Sequence, residues 1–237
     1  MRLPFLSLCV ALPALAFISF ASAAKAQSLA IEPVIVQLAP GQQAETLTLL
    51  NQSPVESAFQ VRAFSWRIVD GEDVLTPTED VLVSPPLGTI APEQRQLIRV
   101  VLRQPAREQE ETYRIWIDQI PNATEPAGVR IAIRLSIPIF AAPATRTAPD
   151  LRWQITRKGA SLILSVTNNG TRHQTARNLT IVGADGTALK LEGNNSPYIL
   201  AGATRSWTVA APLNGVDFRV TATTNDGPLD LTLKPQS

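Results

Sequence analysis

The chain has 237 residues, a net charge of +1 and only 17% charged residues, which leaves no field strong enough to gather nucleic acid or an anionic membrane surface. Its 19 prolines and 12 glycines against a single methionine describe a turn-rich, extended chain and not a helical one. Its one cysteine, Cys9, lies in the first apolar stretch, so the exported chain has to hold its core together without a disulfide.

Arg2 precedes a mostly apolar run from Leu3 to Phe20. Small residues follow (Ala21, Ser22, Ala23, Ala24), and Ala24-Lys25-Ala26 has the A-x-A form. Residues 1–26 are therefore expected to be a secretory signal peptide cleaved before Gln27, with a membrane anchor as the alternative. Strand signals then recur between turn signals. Ser28–Leu38 is extended and broken by Pro33, Glu45–Leu50 stops at Asn51, and Ala58–Ile68 alternates up to an Asp70-Gly71 hairpin signal. Val81–Ser84 ends at Pro85-Pro86; Leu97–Arg103, Thr112–Ile120 and Val129–Phe140 follow. This is the strand complement of an immunoglobulin-like sandwich. Ala141–Pro149 is small, proline-bearing and aperiodic, so it reads as a linker. Beyond it, strand candidates from Arg152 to Leu233 are punctuated by Lys158-Gly159, Asn168-Asn169-Gly170 and Asp185-Gly186. The expected fold is all-β, two immunoglobulin-like sandwiches joined by a short linker, with domains over 27–142 and 143–237. No 3.6-residue period is present beyond a short turn near Pro105–Glu111.

The residues for catalysis are sparse. His173 is the only histidine and, beside an Asn-Asn-Gly turn, reads as a solvated loop residue. There is no G-x-S-x-G elbow and no set of His or Cys ligands for zinc. The acidic clusters Glu108-Gln109-Glu110-Glu111 and Asp70-Gly71-Glu72-Asp73 lack EF-hand spacing and read as solvated loops. No glycine-rich phosphate loop is present. These readings predict no enzyme, no cofactor, no metal and no small-molecule substrate. Trp66, Trp116, Trp153 and Trp207 are expected in the cores.

One strand stands apart. Along Val129–Phe140, Val129, Ile131, Ile133, Leu135, Ile137 and Ile139 share one face; Arg130, Ala132, Arg134, Ser136, Pro138 and Phe140 share the other. Alternation this long exceeds an ordinary strand. It fits a core strand covered by its own domain, or an edge left open for another chain to pair with.

The stretches Leu47–Asn51 (LTLLN), Phe59–Trp66 (FQVRAFSW), Leu82–Pro86 (LVSPP), Gln96–Arg99 (QLIR), Glu111–Pro121 (ETYRIWIDQIP), Ile133–Pro143 (IRLSIPIFAAP) and Tyr198–Trp207 (YILAGATRSW), in this order and spacing, resemble the PapD-like periplasmic chaperones of the chaperone–usher pilus pathway. The short Pro121–Gly128 loop and the YILAGATRSW segment look most like the archaic branch. The resemblance covers nearly the whole exported chain. It implies a periplasmic protein that lends its last first-domain strand to a pilus subunit, completing that subunit's fold, and passes it to an outer-membrane usher. By carry-over the lent residues are Val129, Ile131, Ile133 and Leu135, with Ile137 continuing the register. A second copy of the chain is a further candidate partner for that strand in the free form.

The resemblance also implies basic residues that hold the subunit's terminal carboxylate, one on the first strand and one late in the lent strand. Here the first strand reads SLAIEPVIVQL and Pro138 occupies the later position. The replacement candidates are Arg99, Arg103, Arg62 and Arg134, with Arg99 first because it lies in QLIR. Two further hypotheses stand beside this one: a pilin or adhesin, and a secreted sugar-binding or hydrolytic β-sandwich.

Overall fold

The computed structural model describes residues 29–121, 132–145, 147–159, 161–210 and 217–236, and the described residues contain strands and no helix. The first sandwich comprises β1 (Leu29–Glu32), β2 (Val36–Leu38), β3 (Ala44–Asn51), β4 (Ser57–Val69), β5 (Glu72–Pro77), β6 (Val81–Ser84), β7 (Leu87–Ile90), β8 (Arg95–Leu102), β9 (Glu111–Ile120) and β10 (Arg134–Ala141). Two sheets form, β1-β3-β8-β6 and β2-β10-β9-β4-β5, with β7 added to β4. Alternation decides what each sheet buries. Leu47, Leu49, Ile98 and Val100 from one sheet meet Phe59, Val61, Ile115, Ile117, Ile137 and Ile139 from the other. Burial of such a side chain is worth roughly 1.5–3 kcal/mol.

Local signals explain the connections. Asp70 and Gly71 have φ of 52° and 83°, the pair of positive values that a tight two-residue hairpin needs, and they join β4 to β5 in register from Val69 and Glu72. Asn51 ends β3 with a side chain that donates to the Val55, Ile90 and Ala91 carbonyls and accepts from the Ser53 N–H. It thereby pins two loops that have no ladder of their own. The strands β5 and β7 are absent from the sequence reading. Both lie at the margin of the sheet and carry few buried side chains, so neither shows a clean period-2 pattern.

The second sandwich holds β11 (Leu151–Lys158), β12 (Ser161–Asn168), β13 (Gln174–Thr175), β14 (Arg177–Gly183), β15 (Ala188–Glu192), β16 (Tyr198–Ile199), β17 (Thr204–Ala210), β18 (Phe218–Thr224), β19 (Gly227–Leu233) and β20 (Pro235–Gln236). They run in the order β19-β18-β14-β15-β17-β12-β11-β20, with β13 and β16 paired separately. Leu162, Leu164, Val166, Ile181, Trp207, Phe218 and Val220 form the core. Asn168 repeats the role of Asn51, donating to the Arg172 and Ile199 carbonyls and accepting from the Asp150 and Gly170 N–H groups. Gly170 is required there, because a Cβ would stand 2.2 Å from the Ala148 carbonyl oxygen.

The two sandwiches meet along an aromatic seam. Trp66 and Phe140 of the first pack with Leu200, Ala203 and Tyr198 of the second. Arg205, 1% exposed, donates to the Gly71 carbonyl at 3.0 Å and to Asp73 at 2.5 Å. The hairpin expected to be a solvated acidic loop is thus a docking point. A second correction concerns His173 and Glu110. Both were expected in solvent, yet His173 is 4% exposed, stacks on Phe140 with centroids 3.6 Å apart, and places Nδ1 2.7 Å from Glu110. Each is a polar residue in its own loop, and Glu110 satisfies both the ring and the main-chain N–H of His173 across the seam. Trp66 and Trp207 are buried as expected. Trp153 lies beside Trp207 with its ring stacked. Trp116 departs from the expectation and lies on the outer face of its sheet, between the buried Ile115 and Ile117.

Candidate functional site

The site is the edge of β10. Along its whole length β10 pairs antiparallel with β9, Arg134 opposite Asp118 through Ala141 opposite Glu111. On its other side β2 runs parallel and reaches only Ile139, Phe140 and Ala141. Among the described residues, Arg134–Pro138 therefore have a partner on one side alone. The bond from the Gln119 N–H to the Ile133 carbonyl sets the phase. Odd-numbered residues turn their main-chain groups to β9, and Arg134, Ser136 and Pro138 turn theirs to the open side. Pro138 fits this phase, since the N–H it lacks would point away from the sheet.

Side chains alternate independently of that. Ile137 and Ile139 lie in the core, 3% and 0% exposed. Ile133 and Leu135 are half-buried at its rim, Leu135 packing against it. The aliphatic row thus emerges from the core toward the start of the strand.

The opposite face of the same sheet is covered by the second sandwich at one end, where Trp66 and Phe140 lie, and is open beyond; it is the cleft face. Register orders its residues in rows: Phe64, Arg114 and Pro138, then Arg62, Trp116 and Ser136, then Gln60, Asp118 and Arg134. Arg62 and Arg134 both donate to Asp118, the first at 2.5 Å, and both guanidinium groups lie over the Trp116 ring. Burial raises the Asp118 pKa, but the hydrogen bonds from Arg134 and Arg62 outweigh it and hold the carboxyl below its usual range. Arg114 lies 3.9 Å over the Trp66 ring and donates to Ser136 Oγ at 3.1 Å. Burial lowers its pKa.

The predicted residues fall out unevenly. Val129 and Ile131 lie outside the described residues. Ile133 and Leu135 stand at the open edge, while Ile137 is enclosed in its own core, where it has no free face to lend. Arg62 and Arg134 lie together on the cleft face. Arg99 is exposed on β8, between the buried Ile98 and Val100, and so points outward from the other sheet. Arg103 holds the Glu79 carbonyl at 2.6 Å near the end of β8. Neither is brought to β10. Arg114 was missed; in the sequence it is one polar position of an alternating strand. No group of three or more His, Cys, Asp or Glu suited to a metal occurs among the described residues.

Two immunoglobulin-like sandwiches with an open strand edge beside their seam define a class of fold. Residues 28–146, half of the chain, match the model of the pili and flagellar-assembly chaperones, PapD N-terminal domain, and the chain belongs to this family. Solved structures agree in fold. One is the CsuC–CsuE chaperone–tip adhesion subunit pre-assembly complex from the archaic chaperone–usher Csu pili of Acinetobacter baumannii, similar with a TM-score of 0.68 and 17% identity over 89% of this chain and 100% of that one. Another is the E. coli chaperone DraB, at 0.61 and 21% over 88% and 97%. A third is the Salmonella enterica SafA pilin in complex with the SafB chaperone, at 0.63 and 18% over 89% and 99%. Comparison with curated proteins finds no match.

Proposed function

We propose that this protein is a periplasmic chaperone that binds pilus subunits through β10 and presents them to an outer-membrane usher, in the manner of the archaic branch, without catalysing a reaction. The observation that carries the reading is the edge at Arg134–Pro138, unpaired among the described residues, beside which an aliphatic row rises from the core. An incoming strand gains main-chain hydrogen bonds from the edge, and its own apolar groove receives the alternate side chains. Ile133 and Leu135 are the lent residues within the described chain, and Val129 and Ile131 extend the same sequence row. Ile137 stays in the chaperone. The first domain is placed at 27–142 and the second at 143–237, with the signal peptide removed.

Ile133→Asp and Leu135→Asp together are expected to leave a folded protein, checked by thermal melting, that no longer co-purifies with a co-expressed pilin subunit. Ile133→Asp alone, at the rim, provides the same readout if the pair unfolds. Full pilin retention by a folded variant would sink strand donation at this edge.

A further inference from the structure

The cleft face has more donors than acceptors. Among the described residues, three guanidinium groups, Arg62, Arg114 and Arg134, share it with one available carboxylate, Asp118, which already takes two of them. The other acid that acts on Arg114, Asp73, has its Oδ1 occupied by Trp66 Nε1 and Arg205. Arg114 makes no ion pair among the described residues. Its Nε and that of Arg62 are buried and make no hydrogen bond. A buried N–H donor without an acceptor is destabilising, and the deficit is relieved by any acceptor that reaches it.

The geometry points to where that acceptor comes from. Arg114 is stacked on Trp66, which holds the fork in place, and its bond to Ser136 Oγ aims it at β10. Ser136 turns its main-chain groups to the open side, so a strand paired there sets one residue directly opposite it, with Cβ atoms about 4.5–5.5 Å apart on the same face. Ser136 is also the middle of the open edge, with Arg134 and Pro138 on either side. The residue opposite it is therefore flanked by strand in both directions and presents a side chain, not a chain end.

We propose that the strand received by β10 is two-faced: apolar on the side of Ile133 and Leu135, and acidic on the cleft side opposite Ser136, where Arg114 takes its carboxylate. This rests on the reading of β10 as the subunit-binding edge. Arg134 can add to the selection, because Asp118 remains paired to Arg62 if Arg134 turns toward a second acid. A planar fork stacked on an indole suits a carboxylate in two-point contact, which a lysine cannot reproduce.

Three nonapeptides of alternating Val and Gln serve as probes: an amidated one, an amidated one with Glu at the central polar position, and one with Gln throughout and a free terminal carboxylate. On the wild-type protein the Glu peptide is expected to bind about tenfold more tightly than its Gln counterpart. Arg114→Gln should reduce that advantage below about threefold by weakening the Glu peptide more than the Gln peptide, and Arg114→Lys should restore only part of it. Because Arg114 is partly exposed and makes no ion pair among the described residues, Arg114→Gln should leave a folded protein, checked by thermal melting. Equal affinity for the Glu and Gln peptides, an advantage that survives Arg114→Gln, or a gain seen only with the free terminus would each overturn the proposal. Leu135→Asp separates the two claims. If it abolishes binding of all three peptides while Arg114→Gln changes nothing, the edge reading stands and the acid preference falls. If no peptide binds, or Leu135→Asp has no effect, both fall.

Discussion

The two halves of β10 share one aliphatic row and meet different fates. Ile139–Ala141 lie between β2 and β9 and are buried on both faces, by the core on one and by the seam on the other. Among the described residues, Arg134–Pro138 keep β9 on one side only, and Ile133 and Leu135 remain half-exposed. The second face differs between the halves, Arg134 and Ser136 against Phe140, and so does the pairing. The pairing changes at β2, which is three residues long and reaches back only to Ile139. Whether the edge of a strand is paired or available is thus set by the length of its neighbour.

The largest contrast should appear in stability. Ile139→Ala opens a cavity in a closed core and is expected to cost about 2–5 kcal/mol. Leu135→Ala, at the rim, should cost about 1 kcal/mol or less, because little of its surface changes environment. Urea denaturation measures both, and equal losses would erase the distinction between the halves. A smaller effect tests the phase of the strand. Pro138→Ala restores an N–H that points to the open side, so stability should move by no more than about 0.5–1 kcal/mol. In hydrogen exchange the amide introduced at position 138 and that of Ser136 should exchange fast, while those of Leu135 and Ile137, bonded to β9, exchange slowly. Slow exchange of the introduced amide would show that the open side has been assigned to the wrong residues.

The smallest effect concerns the charges beyond the edge. With its folded pKa depressed, Asp118 contributes stability that is complete above the unfolded carboxylate range, about pH 4, and is lost as pH falls through the lower folded value. Melting temperatures of the wild type and Asp118→Asn should therefore differ at neutral pH, by the equivalent of about 1 kcal/mol or less given the exposure of both arginines, and converge in strong acid. A gap that widens on acidification would contradict the pairing of Asp118 with Arg62 and Arg134.

The sequence made the alternating row of β10 readable, because period 2 needs only the residues themselves. The Asp70-Gly71 hairpin was equally readable, since few residues tolerate two positive φ values. What stayed hidden depends on register or on contacts between distant segments. Arg114 is an ordinary outward residue until the pairing of β9 places it beside Pro138 and near Ser136 and Trp66. Arg99 looked suitable from its motif, and only the assignment of β8 to the far sheet removes it. His173 and Glu110 stand 63 positions apart, and neither loop contains a sign of the other. Ile137 belongs to the lent row by pattern; it is buried although β2 stops short of it, because its side chain packs into the core between the two sheets.

Pro138 bears also on discrimination between self and partner. Two copies joined antiparallel about Ser136 would set Pro138 of each against Arg134 of the other. Each crossing would lack a donor, and the arginines of both molecules would crowd onto one face, where each copy's Asp118 is already paired. An edge left open in this way is a poor template for its own copy and a better one for a strand that brings the missing donor and the missing negative charge.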